Sequence, residues 1–174
     1  IMQIKTILRF IGLLLMIFSL SMLTPLLASL IFHELFWFPF IAAFVCTLGT
    51  GAVLWFSFRK HQQELKIHDG FLIVVLFWFV LCFFAALPFI FTIDNHGFTD
   101  SLFESVSGFT TTGATIITHL DNLPHAILYY RQQLQFLGGM GIVVLAVAIL
   151  PILGVGGMQL YRAETPGPMK ESKL

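Results

Sequence analysis

The sequence predicts an all-α integral membrane fold of four transmembrane helices plus one re-entrant half-length helix and its following loop. Three observations predict it. Apolar types make up 57% of the 174 residues and charged types only 10%, whereas a soluble domain carries about 25% charged residues to solvate its surface. Mean hydropathy is +0.91. The charges are also gathered into short interruptions. They leave four apolar stretches, roughly Phe10–Phe32, Leu35–Phe58, Phe71–Ile93 and Leu134–Leu153, none with an internal Lys, Arg, Asp or Glu. Each is near the ~20 residues that a helix needs to cross the hydrocarbon core.

Lys5 and Arg9 precede the first stretch, as in a secretory signal. The apolar run is longer than the ~7–15 residues of a signal core and no small-x-small cleavage site follows, so a permanent anchor is expected. The first two helices form a hairpin around His33 and Glu34, read as a solvated interfacial turn rather than a ligand or proton relay. Cys46 and Cys82 fall inside predicted helices, where free cysteine behaves as a small hydrophobe. The Arg59–Asp69 segment, opening Arg59-Lys60-His61, is a polar connector. Net charge is zero, which gives no sign of a nucleic-acid partner.

Orientation follows from the basic residues. Lys5, Arg9, Arg59, Lys60, Lys66, Arg162, Lys170 and Lys173 share one side, and Arg131 alone lies opposite. Both termini and the Arg59–Asp69 loop are therefore expected in the cytoplasm, with Asp94–Tyr130 outside.

About forty residues join the third and fourth stretches, long enough to require an architecture of their own. Thr99–Phe109 reads as a short helix. Ser101 and Glu104 have the spacing of a capping box, and Leu102, Phe103, Val106 and Phe109 give a periodic apolar side. Then comes Thr110-Thr111-Thr112-Gly113. Three threonines favour extended backbone over helix, and Gly113 admits positive φ. An extended stretch after a half-length helix suits a pore loop, because non-helical backbone at membrane depth is tolerated only inside protein or along a watery cavity.

The chemistry of such a loop is that of a cation filter. A cation leaving water must exchange its hydration shell for other oxygens, and Thr- and Gly-containing loops supply them as main-chain carbonyls. Thr110, Thr111 and Thr112 add hydroxyls, and the short helix aims the negative end of its dipole at the loop. The string Thr-Thr-Thr-Gly also occurs in ordinary structural loops; its position between spanning helices is what points to a pore.

The run Ser107-Gly108-Phe109-Thr110-Thr111-Thr112-Gly113-Ala114-Thr115 resembles the first pore repeat of the Trk/Ktr/HKT potassium transporters. The likeness continues through 123–132, 138–142 and 146–164, and is similar in particular to the bacterial Trk-type potassium-uptake permeases. It covers nearly the whole chain, the opening hairpin being its least specific part. The resemblance implies four helix–pore loop–helix repeats around one pore in a single polypeptide, preceded by a two-helix addition. This chain would then comprise that hairpin (1–69), the first repeat with its pore helix and filter loop (70–160) and a cytoplasmic tail opening the next repeat (161–174), as an N-terminal fragment.

Carried over residue by residue, the resemblance implies filter oxygens on Thr110, Thr111 and Thr112, with Gly113 as the filter glycine. It implies potassium uptake across the bacterial inner membrane, with potassium as cargo and no cofactor. It also implies a cytoplasmic nucleotide-binding regulatory subunit and a homodimer of the full-length permease. The alternatives are a non-conducting membrane scaffold or assembly subunit, and a homotetramer of single-repeat chains. No phosphate loop, catalytic carboxylate pair or nucleophile–base pair suggests an enzyme.

Other residues carry paired readings. Asp94, Asp100 and Glu104 either gather cations at the mouth or cap helices. Asp121 and His125 flank Pro124 and read as loop and helix-start residues, without a third ligand to make a metal site. Arg131 either pairs with Glu104 or Asp121 to brace the loop, or snorkels unpaired. Gly138, Gly139, Gly141, Gly154, Gly156 and Gly157 serve close helix packing or a hinge. The closing Ser172-Lys173-Leu174 matches a peroxisomal address and is read as coincidence. No acidic residue within a span suggests a proton relay.

Overall fold

A computed structural model describes residues 4–35, 37–60, 67–92, 97–118 and 120–152, with 67–68 and 144–152 as backbone alone. Asp94, Lys66, the glycines at 154, 156 and 157, and the expected tail with Pro166 and Pro168 lie outside the described residues. Two compact units divide the chain, Ile1–Gly139 and Met140–Leu174. In the second, residues 140–152 are helical.

The described residues are helix and loop throughout. In order they form α1 (Ile4–Ser21), α2 (Thr24–Ile31), α3 (Phe38–Phe58), α4 (Ile67–Ala85), α5 (Leu87–Thr92), α6 (Phe98–Phe109), a 3₁₀ turn (Leu120–Asn122) and α7 (His125–Ile152). Ile4–Ile31, Phe38–Phe58 and Asp69–Thr92 are long and apolar enough to cross a membrane. The fourth expected stretch coincides with the later part of α7, which starts at His125 rather than Leu134. Asp69, expected in the connector, is a buried residue in the first turn of α4.

Two spans that read as continuous are broken, each near a proline. In an unbroken first span, Ser21 O would accept the N–H of residue 25, but Pro25 has none. The chain turns at Met22 and Leu23 instead. Gln133 Nε2 donates to Ser21 O at 2.7 Å, and the Thr24 hydroxyl lies 2.8 Å from both Ser21 O and Gln133 Oε1. The second break, at Ala86 before Pro88, is answered in the same way. Ser105 Oγ donates to Cys82 O at 2.6 Å, and Tyr130 OH donates to Ala85 O at 2.9 Å. Carbonyls near a helix break need donors in an apolar setting, so side chains from α6 and α7 dock there.

α1 and α3 cross by close approach. A Cβ on Gly12 would stand 2.7 Å from Gly51 O, and one on Gly51 2.8 Å from Gly12 O. Only glycine fits at either position. Beyond this crossing lies a core containing Phe18, Met22, Phe40, Phe89, Phe109, Tyr130 and Leu134. The Phe109 ring packs against Phe18 and Trp78, with centroids 5.7 and 6.0 Å away. Through that ring the end of α6 is seated on the first and fourth helices.

Glu34 corrects the expectation of a plain solvated turn. Its Oε1 accepts the His125 main-chain N–H at 2.9 Å and sits 2.7 Å from His125 Nδ1, while Oε2 accepts from Ala126 N at 3.3 Å. A carboxylate at the start of α7 meets unpaired N–H groups and the positive end of the helix dipole. Burial raises the Glu34 pKa, but these hydrogen bonds outweigh it and hold the carboxyl below its ordinary value. The Phe32 ring stacks on His125 at 4.0 Å. His33 itself is exposed, with φ 56°.

Candidate cation filter

Helix α6 starts one residue before the expected Thr99, and its cap is not the Ser101–Glu104 pair. The N-cap is Gly97, whose N–H donates to Asp100 Oδ2 at 3.2 Å. Asp100 is thereby the capping residue, and Ser101 and Glu104 are buried within the helix. A capping box needs its acid three residues after the cap, and the sequence holds two overlapping candidates for that spacing. Burial of Glu104 decided between them.

The C-terminal end of α6 closes by donors folded back on it. Thr111 N donates to Gly108 O and Thr112 N to Ser107 O, both at 3.0 Å. With Thr110 as C-cap and Thr111 at φ 54°, this is a Schellman closure. The left-handed position is normally glycine, since a β-branched residue there is strained. Such strain is characteristic of functional backbone. Gly113 also has positive φ, 75°, so the sign of φ alternates through Thr110–Gly113.

These bonds fix where the carbonyls point. All peptide bonds in the described residues are trans, and in a trans peptide C=O and N–H point in opposite directions. Because the N–H groups of Thr111 and Thr112 point back at α6, the carbonyls of Thr110 and Thr111 point away from it. The stretch is bounded on both sides. Phe109 O is covered by α7, since a Cβ on Gly138 would lie 2.0 Å from it. Ala114 O accepts from Ser107 Oγ at 2.6 Å. Between these limits, no hydrogen bond from the described residues reaches the main-chain oxygens of Thr110–Gly113. All four residues are exposed. The Thr110 hydroxyl donates to Val106 O at 2.8 Å and lies 2.7 Å from the Thr112 hydroxyl.

The loop's returning limb is tied to a buried carboxylate. Glu104 Oε1 accepts the Thr115 hydroxyl at 2.5 Å and the Ile116 N–H at 2.8 Å. Glu104 Oε2 lies 3.2 Å from both Nε and Nη2 of Arg131 in α7. Their side chains are only 1% and 11% exposed. Of the two partners expected for Arg131, it takes Glu104; Asp121 is exposed in the 3₁₀ turn. Glu104 thus joins the returning limb of the loop to α7.

Several contributors were not anticipated. Gly138 was read for packing, but its partner, the Phe109 carbonyl, is visible only in three dimensions. Gln133 and Glu34 carried no local signal, because their partners are 112 and 91 residues away in sequence. No group of His, Cys, Asp and Glu suited to a metal ion occurs among the described residues. An alkali-cation site made of main-chain oxygens needs none.

Comparison with known proteins gives the family. Residues 38–174 match the family model TrkH, a cation transport protein. The Trk system potassium uptake protein TrkH of Halomonas elongata is 59% identical over 174 residues, covering 99% of this chain and 36% of that protein. TrkH of Escherichia coli K12 is 57% identical with the same coverage, and TrkG of that strain is 46% identical over 164 residues, covering 94% of this chain and 34% of that protein. The crystal structure of the potassium transporter TrkH from Vibrio parahaemolyticus superposes with a TM-score of 0.82 at 53% identity, over 95% of this chain and 34% of that one. The chain thus spans about a third of the length of the relatives it matches. It belongs to the TrkH family of cation transport proteins.

Proposed function

We propose that the main-chain oxygens of Thr110–Gly113 replace the water around a potassium ion, as one part of the selectivity filter of a longer potassium-uptake permease. The observation that carries this reading is the bounded rim. Phe109 O is covered and Ala114 O is bonded, while the four residues between them are exposed and their main-chain oxygens accept no hydrogen bond from the described residues. A row of unpaired carbonyls is costly in an apolar setting unless a cation or water meets them. The relatives' names as potassium uptake proteins support potassium as the cargo.

In the same reading α6 is a re-entrant pore helix, residues 1–69 form a hairpin ahead of the first repeat (70–160), and 161–174 open the next. Three further repeats complete the ring of oxygens. The distribution of the basic residues supports a cytoplasmic position for both termini, and the family resemblance supports a bacterial inner membrane. A nucleotide-binding subunit on the inner face and a homodimer of the permease complete the assembly that the family resemblance implies.

Gly113→Val in the full-length permease, reconstituted in lipid vesicles, tests the proposal through rubidium and sodium uptake. The substitution forces a β-branched residue into a positive-φ position. Uptake is expected to fall at least about tenfold, or the preference for rubidium to collapse, corresponding to 1–3 kcal/mol of backbone strain. Unchanged flux and unchanged preference in correctly inserted protein would overturn it.

A further inference from the structure

The two limbs of the loop are held by different means. The outgoing limb, Thr110–Thr112, is tied to the main chain of α6. The returning limb is tied through Thr115 and Ile116 to one carboxylate oxygen of Glu104, whose other oxygen meets Arg131. We infer that the Glu104–Arg131 pair is a positioning clamp that sets the spacing of the filter oxygens, and so the preference among alkali cations. This rests on the filter reading above and deepens it.

Geometry and chemistry both support the clamp. A carboxylate beside a cation pathway could attract ions directly, but this one is buried, and among the described residues its four contacts are to donors of its own chain. Its charge is matched by Arg131, so an ion in the filter meets a nearly neutral support. The carboxylate accepts from the limb on one oxygen and from the guanidinium on the other. It therefore couples the limb to α7 through bonds that are short and directional. Ser107, Gly108, Ala114 and Gln135 line a small cavity with the same pair. Thr115 has a second bond, accepting from Ile117 N at 3.1 Å, which keeps its hydroxyl aimed at Glu104.

An alkali-cation filter chooses by the spacing and field of its oxygens. Loosening the returning limb lets those oxygens approach a smaller ion. The clamp residues touch no ion, so their loss is expected to change preference more than total flux.

The test uses the full-length permease in lipid vesicles, with rubidium and sodium uptake measured on the same preparations. Thr115→Val removes one donor to Glu104 while keeping side-chain shape and leaving the ion pair whole. Arg131→Lys keeps the charge but loses the planar fork. Each is expected to lower the rubidium-to-sodium preference about five- to tenfold, the scale of one ordinary hydrogen bond, while total cation flux changes less than twofold. Glu104→Gln, which keeps one acceptor and loses the charge, is expected to lower preference at least as far.

Gly113→Ala in the same preparations separates the two claims. If it changes preference while Thr115→Val and Arg131→Lys do not, the clamp is wrong and the filter stands. Should Gly113→Ala leave both flux and preference unchanged, the filter reading fails and the clamp with it. Equal loss of flux for both cations in Thr115→Val and Arg131→Lys, at unchanged preference, also overturns the clamp, because that is the mark of a purely structural role. If Glu104→Gln fails to insert, the other two variants decide.

Discussion

Where α1 crosses α3, main chain meets main chain through Gly12 and Gly51. Where α6 meets α7, a glycine at 138 again admits a carbonyl, but around it stand Glu104, Arg131, Ser107 and Thr115 joined by hydrogen bonds. Both regions solve the packing of helices without a strong hydrophobic drive between them, the usual situation in lipid. The first solves it by close approach of main chain at two glycines. The second has irregular backbone to hold, and each unpaired N–H or C=O there requires a named partner. The contrast teaches that, among the described residues, side-chain hydrogen bonds between distant elements gather where backbone leaves the helix: at the Pro25 break, the Ala86 break, the start of α7 and the loop after α6.

Breaking the α6–α7 contact is expected to do most damage. Gly138→Val would drive a Cβ to 2.0 Å from Phe109 O, with Phe109 C at 2.7 Å and Cα at 2.9 Å. Main chain on both sides prevents relief by a rotamer change, so the cost exceeds the ~1–3 kcal/mol of ordinary overpacking. Little folded permease is expected by size-exclusion profile in detergent. A normal yield with normal uptake would show that the two helices do not meet in this way.

Gly12→Val sharpens the comparison from the other side. The crossing of α1 with α3 is expected to open, costing about 2 kcal/mol in thermal or denaturant stability. Cation preference in the surviving folded protein should be unchanged, because the loop is held elsewhere. A shift in preference would mean that the hairpin and the loop are coupled more tightly than their contacts suggest.

The smallest effect is expected at the start of α7. Glu34→Ala removes the acceptor for His125 N and Ala126 N and should cost about 1 kcal/mol. The pH dependence has a definite sign. Because the Glu34 carboxyl is held below its ordinary value of 4.5, its contribution is present above that pH and is lost as pH falls through the lowered folded value. Wild-type melting temperature should therefore drop more steeply than that of Glu34→Ala on acidification below about 4.5. Parallel curves would remove Glu34 from the cap.

Much of the architecture was legible from composition, since helices that cross a bilayer announce themselves by length and lack of charge. The half-length helix was also legible, to within a residue at its start. Its cap was misread because Asp100 and Glu104 both fit an acid-at-N3 pattern, and only one of them faces the solvent side of the turn. The spans' breaks were harder to see. Pro25 and Pro88 stood in plain view, but proline is compatible with both a kink and a continued helix in lipid, so the outcome depended on whether Gln133, Ser105 and Tyr130 could reach the carbonyls nearby. His125 reads as a helix-start residue and is the first of α7, whereas the apolar stretch begins only at Leu134, because Tyr129, Tyr130, Arg131, Gln132 and Gln133 lower the hydropathy of the helix's first turns.

By itself the sequence determined that this chain lives in a membrane, that its charges fall outside the long apolar stretches, and that one Thr/Gly loop stands apart from the apolar helices. These are properties of transfer between water and hydrocarbon, which act residue by residue and need no knowledge of neighbours. Only the tertiary structure decided which oxygens of that loop are left free, which carboxylate supports it and which glycines carry the close contacts. Those are pairings between groups distant in the chain, and hydrogen bonds and steric exclusion act over a few ångströms in space, whatever the separation in sequence.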